Sequence, residues 1–120
     1  MQAATAVPAD IHRLPGDAPA VVGAATLQAW LDDDAVFLVD VREPHEFERE
    51  RIAGAFLVPM SRFDAGSFPR VDGLKTVLVS EQESRSLALA EQLADSGFPE
   101  IYALGGGLAA WRAAGFELDE

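Results

Sequence analysis

Three short segments carry residue types that could do chemistry: Asp40-Val41-Arg42-Glu43-Pro44 with His45 behind it, the stretch Ser80–Ser86, and Gly105-Gly106-Gly107. Ser80 is a hydroxyl, His45 is a base, and Asp40 or Glu43 could orient that base, the parts of a nucleophilic triad if folding brought them together. No G-x-S-x-G elbow surrounds Ser80, and a histidine beside Pro44 reads more simply as a surface residue. Asp40 and Arg42 form either an internal ion-pair brace or a ligand clamp, and the brace is the more ordinary use of such a pair. The triple glycine is neither G-x-G-x-x-G nor a Walker loop, since no Lys-Ser/Thr follows, and is expected to be a tight turn before Leu108 and Trp111.

Much chemistry is excluded by composition. The 120 residues contain no cysteine and two histidines, His12 and His45. Disulfides, zinc ribbons, iron–sulfur clusters, CxxC redox chemistry and cysteine nucleophiles are therefore absent. No metal or cofactor is implied; Asp32-Asp33-Asp34 lacks the spacing and glycine of a calcium loop and reads as a solvated helix end. Nine basic and twenty acidic residues give a formal charge of −11. That balance repels phosphate backbones and anionic lipid, so neither nucleic acid nor a membrane surface is an expected partner. The chain shows no apolar stretch of bilayer length and no recognisable export signal, which leads to an expectation of a cytoplasmic protein.

The elements that must position these segments alternate. Residues 1–19, rich in Ala and Pro, are expected to form a weakly ordered tail containing an exposed His12, and residues 20–120 a single domain. Val21-Val22 is a short strand. Thr26 is expected to cap a helix running from Leu27 to about Asp33. The continuous apolar run Val36–Val39 has the pattern of a strand buried on both faces. A polar helix from Pro44 to near Ile52, strands at Ala55–Val58 and Thr76–Val79, and a strong helix with Leu89 and Leu93 four apart follow. Ile101–Leu104 and a helix from Leu108 to about Ala114 complete the chain. Strands alternating with helices across short loops predict an α/β fold, a mostly parallel sheet with helices on both faces. In such sheets ligands bind beyond the carboxyl ends of the strands, where all three segments fall.

VDVREPHEF, then RIAGAFLVP, then a strand–loop–helix containing Arg85-Ser86, then LGGGLAAWRAAGF, in this order and spacing, together resemble the rhodanese-like domains. The resemblance runs from about Thr26 to Leu118. It implies that the loop after the fourth strand corresponds to a Cys-x-x-Gly-x-Arg-Ser cup, in which backbone N–H groups and a helix N-terminus bind an anion and the cysteine carries sulfur as a persulfide. Here that loop is Ser80-Glu81-Gln82-Glu83-Ser84-Arg85-Ser86. Ser80 stands at the nucleophile's position and Glu83 at the glycine's. Serine holds no persulfide and is scarcely ionised without a base. At ~4 Å each glutamate would repel a monovalent anion by about 1 kcal/mol in water-like screening and about 4 kcal/mol in a partly shielded cup. Arg85 offsets one of them. The resemblance therefore implies a catalytically silent domain whose loop serves protein interaction or regulation, with Arg85 as its charge anchor and helix brace and with Asp40 and Arg42 supporting it. The alternative is a sulfur-handling domain that works with a partner's thiol. Glu50-Arg51 replaces the family's frequent Gly-His before Ile-x-Gly-Ala, a change read as tolerated at the surface.

Overall fold

The structure, a computed structural model, describes residues 11–13, 19–98 and 100–120. In chain order its elements are β1 (Ile11–Arg13), β2 (Ala20–Val22), α1 (Ala24–Asp32), β3 (Val36–Asp40), α2 (Pro44–Arg49), β4 (Phe56–Leu57), β5 (Lys75–Val79), α3 (Glu83–Asp95), β6 (Ile101–Leu104) and α4 (Gly107–Ala113). Two short 3-10 turns, Met60–Arg62 and Ala65–Ser67, join β4 to β5.

The sheet order is β1-β2-β6-β5-β3-β4. Strands β2, β6, β5, β3 and β4 run parallel, and β1 closes one edge antiparallel to β2. The α/β class and the parallel sheet are as the sequence predicts. Strands β3, β5 and β6 are apolar on both sides because both sides are covered. One core, around Leu27, Leu38, Val77, Tyr102, Leu104, Leu108 and Trp111, lies under α1 and α4. The other, around Phe37, Leu78, Leu89, Leu93, Phe98 and Ile101, lies under α3.

Several expectations change. Part of the segment assigned to a weakly ordered tail is sheet: Ile11, His12 and Arg13 pair with Val22, Val21 and Ala20. Strand β2 would otherwise present an open edge, and a short antiparallel strand closes it. Residues 1–10 and 14–18, and the His12 side chain, lie outside the described residues. Helix α1 starts earlier than expected, with Gly23 rather than Thr26 at its N-cap. Glycine is tolerated there, and Leu27 N–H bonds to the Gly23 carbonyl at 3.0 Å. Helix α2 stops at Arg49 and so is shorter than expected. A capping box holds its start: Glu43 N–H donates to the Glu46 carboxylate at 3.1 Å.

From β3 the chain moves outward to β4, then returns to the other side of β3 to build β5 and β6. The carboxyl ends of β3 and β5 therefore flank the point where strand order reverses, where open parallel sheets place their sites.

Candidate functional site

A cleft of about 270 Å³ opens at this reversal point, lined by Val41, Arg42, Glu43 and Glu46 after β3, by Met60, and by Ser80, Glu81, Gln82 and Arg85 after β5. Most of the predicted site residues are thus brought together. His45 is exposed, does not line the cleft, and makes no hydrogen bond to Ser80, Asp40 or Glu43 among the described residues. The triad does not assemble.

Ser80 is 2% exposed. Its hydroxyl donates to the Gln82 carbonyl and accepts from Ser86 N–H at 3.1 Å. The Ser86 hydroxyl in turn donates to the Glu83 carbonyl at 3.1 Å. Ser80 therefore ties the loop to the first turn of α3. Its proton is committed to a carbonyl, and no base among the described residues is bonded to it to remove that proton.

Asp40 and Arg42 form the brace. Asp40 is fully buried and Arg42 6% exposed. Arg42 Nε donates to both carboxylate oxygens at 3.0 and 3.1 Å and Nη2 to Oδ2 at 2.8 Å, while the Arg42 backbone N–H reaches Oδ1 at 3.0 Å. Nη2 also donates to the Glu50 carbonyl at 2.6 Å. This fork fixes the end of β3, and Val41 N–H joins it to β5 through the Val79 carbonyl at 2.9 Å, one residue before Ser80.

The two loop glutamates are not left as uncompensated charge, contrary to the sequence expectation. Glu81 meets Arg112 of α4, with Nη1 2.6 Å from Oε2. Arg112 also pairs with Glu50. The hydrogen bond from Arg112 is the main reason the Glu81 carboxyl titrates below its ordinary range, and Arg42 adds a smaller attraction. Glu81 and Glu50 together hold the Arg112 guanidinium above its ordinary range, with Glu81 the larger cause. Glu83 turns its carboxylate onto Gly106 N–H at 3.0 Å. The replacement of Glu50-Arg51 is accordingly more than a tolerated surface change, since Glu50 completes the Arg112 bridge.

Arg85 is no brace. It is exposed, its Nη1 lies 3.9 Å from Met60 Sδ, and it forms no ion pair among the described residues. Arg112, and not Arg85, neutralises a loop glutamate. At the cleft's other rim, Glu43 accepts from the Ser61 hydroxyl at 2.7 Å and from Ser61 N–H at 3.1 Å. These bonds, the hydroxyl's first, lower its carboxyl below the usual range.

The triple glycine does more than turn the chain. Leu108 N–H donates to the Ser80 carbonyl at 3.0 Å and Ala109 N–H to the Glu81 carbonyl at 3.3 Å, so α4 sits directly on the loop. A Cβ on Gly107 would lie 2.4 Å from the Glu81 carbonyl oxygen, and its φ is +63°. Only glycine permits this approach. Arg112, Glu50 and the glycine contact were missed in the sequence; LGGGLAAWR, with Arg112 one turn after Leu108, was the available signal.

The sequence model of the Rhodanese-like domain family matches residues 23–114. The chain belongs to the rhodanese-like domain family. It is 33% identical over 90 residues to the thiosulfate sulfurtransferase GlpE of Coxiella burnetii, covering 72% of this chain and 83% of GlpE. It is 44% identical over 90 residues to an uncharacterised Synechocystis protein, covering 75% of this chain; it spans half the length of that relative. A rhodanese-related protein from Thermoplasma volcanium has a similar structure, with a TM-score of 0.72 and 29% identity over 82% of this chain and 96% of that one. This rhodanese-like domain is thus related to sulfurtransferases but contains no cysteine. Among the described residues, no helix is long and apolar enough to cross a membrane, and no three His, Cys, Asp or Glu side chains are grouped as a metal would require.

Proposed function

We propose that this rhodanese-like domain acts in the cytoplasm as a non-catalytic recognition module, with the loop Ser80–Ser86 and its cleft docking on a partner protein, not on nucleic acid or a membrane. The observation that carries the reading is the state of Ser80. A hydroxyl without sulfur chemistry, 2% exposed and bonded on both sides, holds loop geometry where the family places a nucleophile. The loop is also pinned from outside by α4 through Arg112 and Gly106. A preformed loop suits recognition, because binding then loses little conformational entropy. The partner sees Gln82, Ser84 and Arg85, all exposed, beside the Glu43 rim.

Affinity capture with the intact domain and with a Glu81→Ala/Glu83→Ala variant tests this. A partner held by the intact domain and lost by the folded double variant supports a recognition loop. A partner retained equally by both contradicts it.

The likeness to GlpE supports a second reading, in which the docking partner brings its own thiol and this domain helps to handle sulfur without turning it over. A captured partner that carries a persulfide beside the loop would favour it.

A further inference from the structure

A second cleft of about 270 Å³ lies at the opposite end of the sheet, where β5 and β6 begin, and the loop function makes no use of it. Its base holds Thr76, which is 4% exposed. The Thr76 hydroxyl has no hydrogen-bond partner among the described residues, although the other buried polar side chains, Asp40, Arg42, Ser80 and Ser86, are bonded. No fully buried side-chain polar atom of the described residues lacks a partner, so the Thr76 hydroxyl opens onto the cleft, where a ligand can bond to it.

The charges that line the cleft are held apart. Arg70 lies over Phe98, its guanidinium carbon 4.1 Å from the ring centroid, and among the described residues it hydrogen-bonds only to the Ser96 carbonyl, at 3.4 Å. Asp72 makes no ion pair or hydrogen bond among the described residues. The other two charges are engaged elsewhere: Lys75 sits 5.3 Å over the Trp30 ring, and Glu100 accepts from the Tyr102 hydroxyl at 3.0 Å. All three ion pairs of the described residues lie at the other end of the sheet. One cation and one anion thus border the same small cleft without neutralising each other. The volume suits a small metabolite, since pockets for drug-sized ligands run to about 300–1,000 Å³. Phe98 gives the cleft an apolar wall, and Val71, 37% exposed, borders it.

We infer that this cleft is a binding site for a free α-amino acid with an apolar side chain, held as its zwitterion. Arg70 takes the carboxylate, Asp72 the ammonium group and Thr76 a further hydrogen bond, while Phe98 and Val71 face the side chain. A ligand with one charge would leave either Arg70 or Asp72 unanswered, and charge-assisted bonds at both ends select the zwitterion.

The test is a titration of the labelled full chain with L-leucine, L-leucinamide and N-acetyl-L-leucine, followed by backbone amide NMR. L-leucine should saturably shift the amides of residues 71–76 and 98, with a Kd of about 1 mM or tighter. Each blocked derivative, which lacks one charge, should bind about tenfold more weakly, as should Asp72→Asn and Thr76→Val. The surface substitution Asp72→Asn keeps the test valid if Thr76→Val perturbs the sheet. The Glu81→Ala/Glu83→Ala variant should bind L-leucine normally, which separates this site from the loop. Absence of saturable shifts below about 10 mM, equal binding of all three compounds, or unchanged affinity in Asp72→Asn overturns the inference.

Discussion

Replacing Gly107 with alanine should damage the domain far more than the same change at another left-handed glycine. Both Gly107 and Gly54 have positive φ, +63° and +86°. Left-handed backbone costs alanine about 1–2 kcal/mol at either site. At Gly54 nothing lies within 4 Å of an added Cβ, so that strain is the whole effect. At Gly107 the Cβ would fall 2.4 Å from the Glu81 carbonyl oxygen and 2.7 Å from that of Ser80. Helix α4 must then lift, losing the bonds from Leu108 and Ala109, each worth about 0.5–1.5 kcal/mol. Gly107→Ala should therefore cost about 2–5 kcal/mol against about 1–2 for Gly54→Ala. At about 4 °C per kcal/mol for a domain of this size, thermal unfolding should fall by about 8–20 °C against about 4–8 °C. Circular dichroism melts of the two variants read the difference directly. Equal losses would refute the close seating of α4 on the loop, and with it the account of a preformed surface.

Other perturbations give separate outcomes. Asp40→Ala leaves the buried Arg42 guanidinium without its counterion and should destabilise the domain by about 3–5 kcal/mol in urea unfolding. Ser80→Ala removes the partner of both Ser86 N–H and the Gln82 carbonyl and should cost about 1–3 kcal/mol, again read by urea unfolding. A double-mutant cycle of Glu81→Ala and Arg112→Ala should give a coupling no larger than about 1 kcal/mol, because both side chains are more than a third exposed and solvent screens them. That coupling depends on pH in a definite direction. The Glu81 carboxyl titrates lower in the folded protein than its ordinary value of 4.5, so the stabilisation is present above that value and fades as pH falls through the folded one. Melts from pH 7 down to pH 3 should show the wild type losing this increment and Arg112→Ala having little of it to lose.

The parts legible in the sequence were those set by short-range pattern. Val36–Val39, Thr76–Val79 and Ile101–Leu104 read as buried strands because continuous apolar runs need cover on both faces, and Asp40-x-Arg42 read as a brace because its two residues are two apart. What was not legible depends on distant residues meeting. Arg112 is 31 residues from Glu81 and 62 from Glu50, and no local rule pairs them. Without that pairing the two loop glutamates looked like uncompensated charge, and Arg85 looked like their partner. Gly107 read as an ordinary turn because the carbonyls it approaches belong to another loop. The sheet pairing of Ile11–Arg13 was hidden by its Ala- and Pro-rich surroundings, which carry no strand period.

The proposal that this domain is non-catalytic is tested most directly by thiocyanate formation from thiosulfate and cyanide, with wild type and Ser80→Ala measured side by side. The account predicts the same uncatalysed rate for both. Turnover by the wild type above that of Ser80→Ala would contradict it.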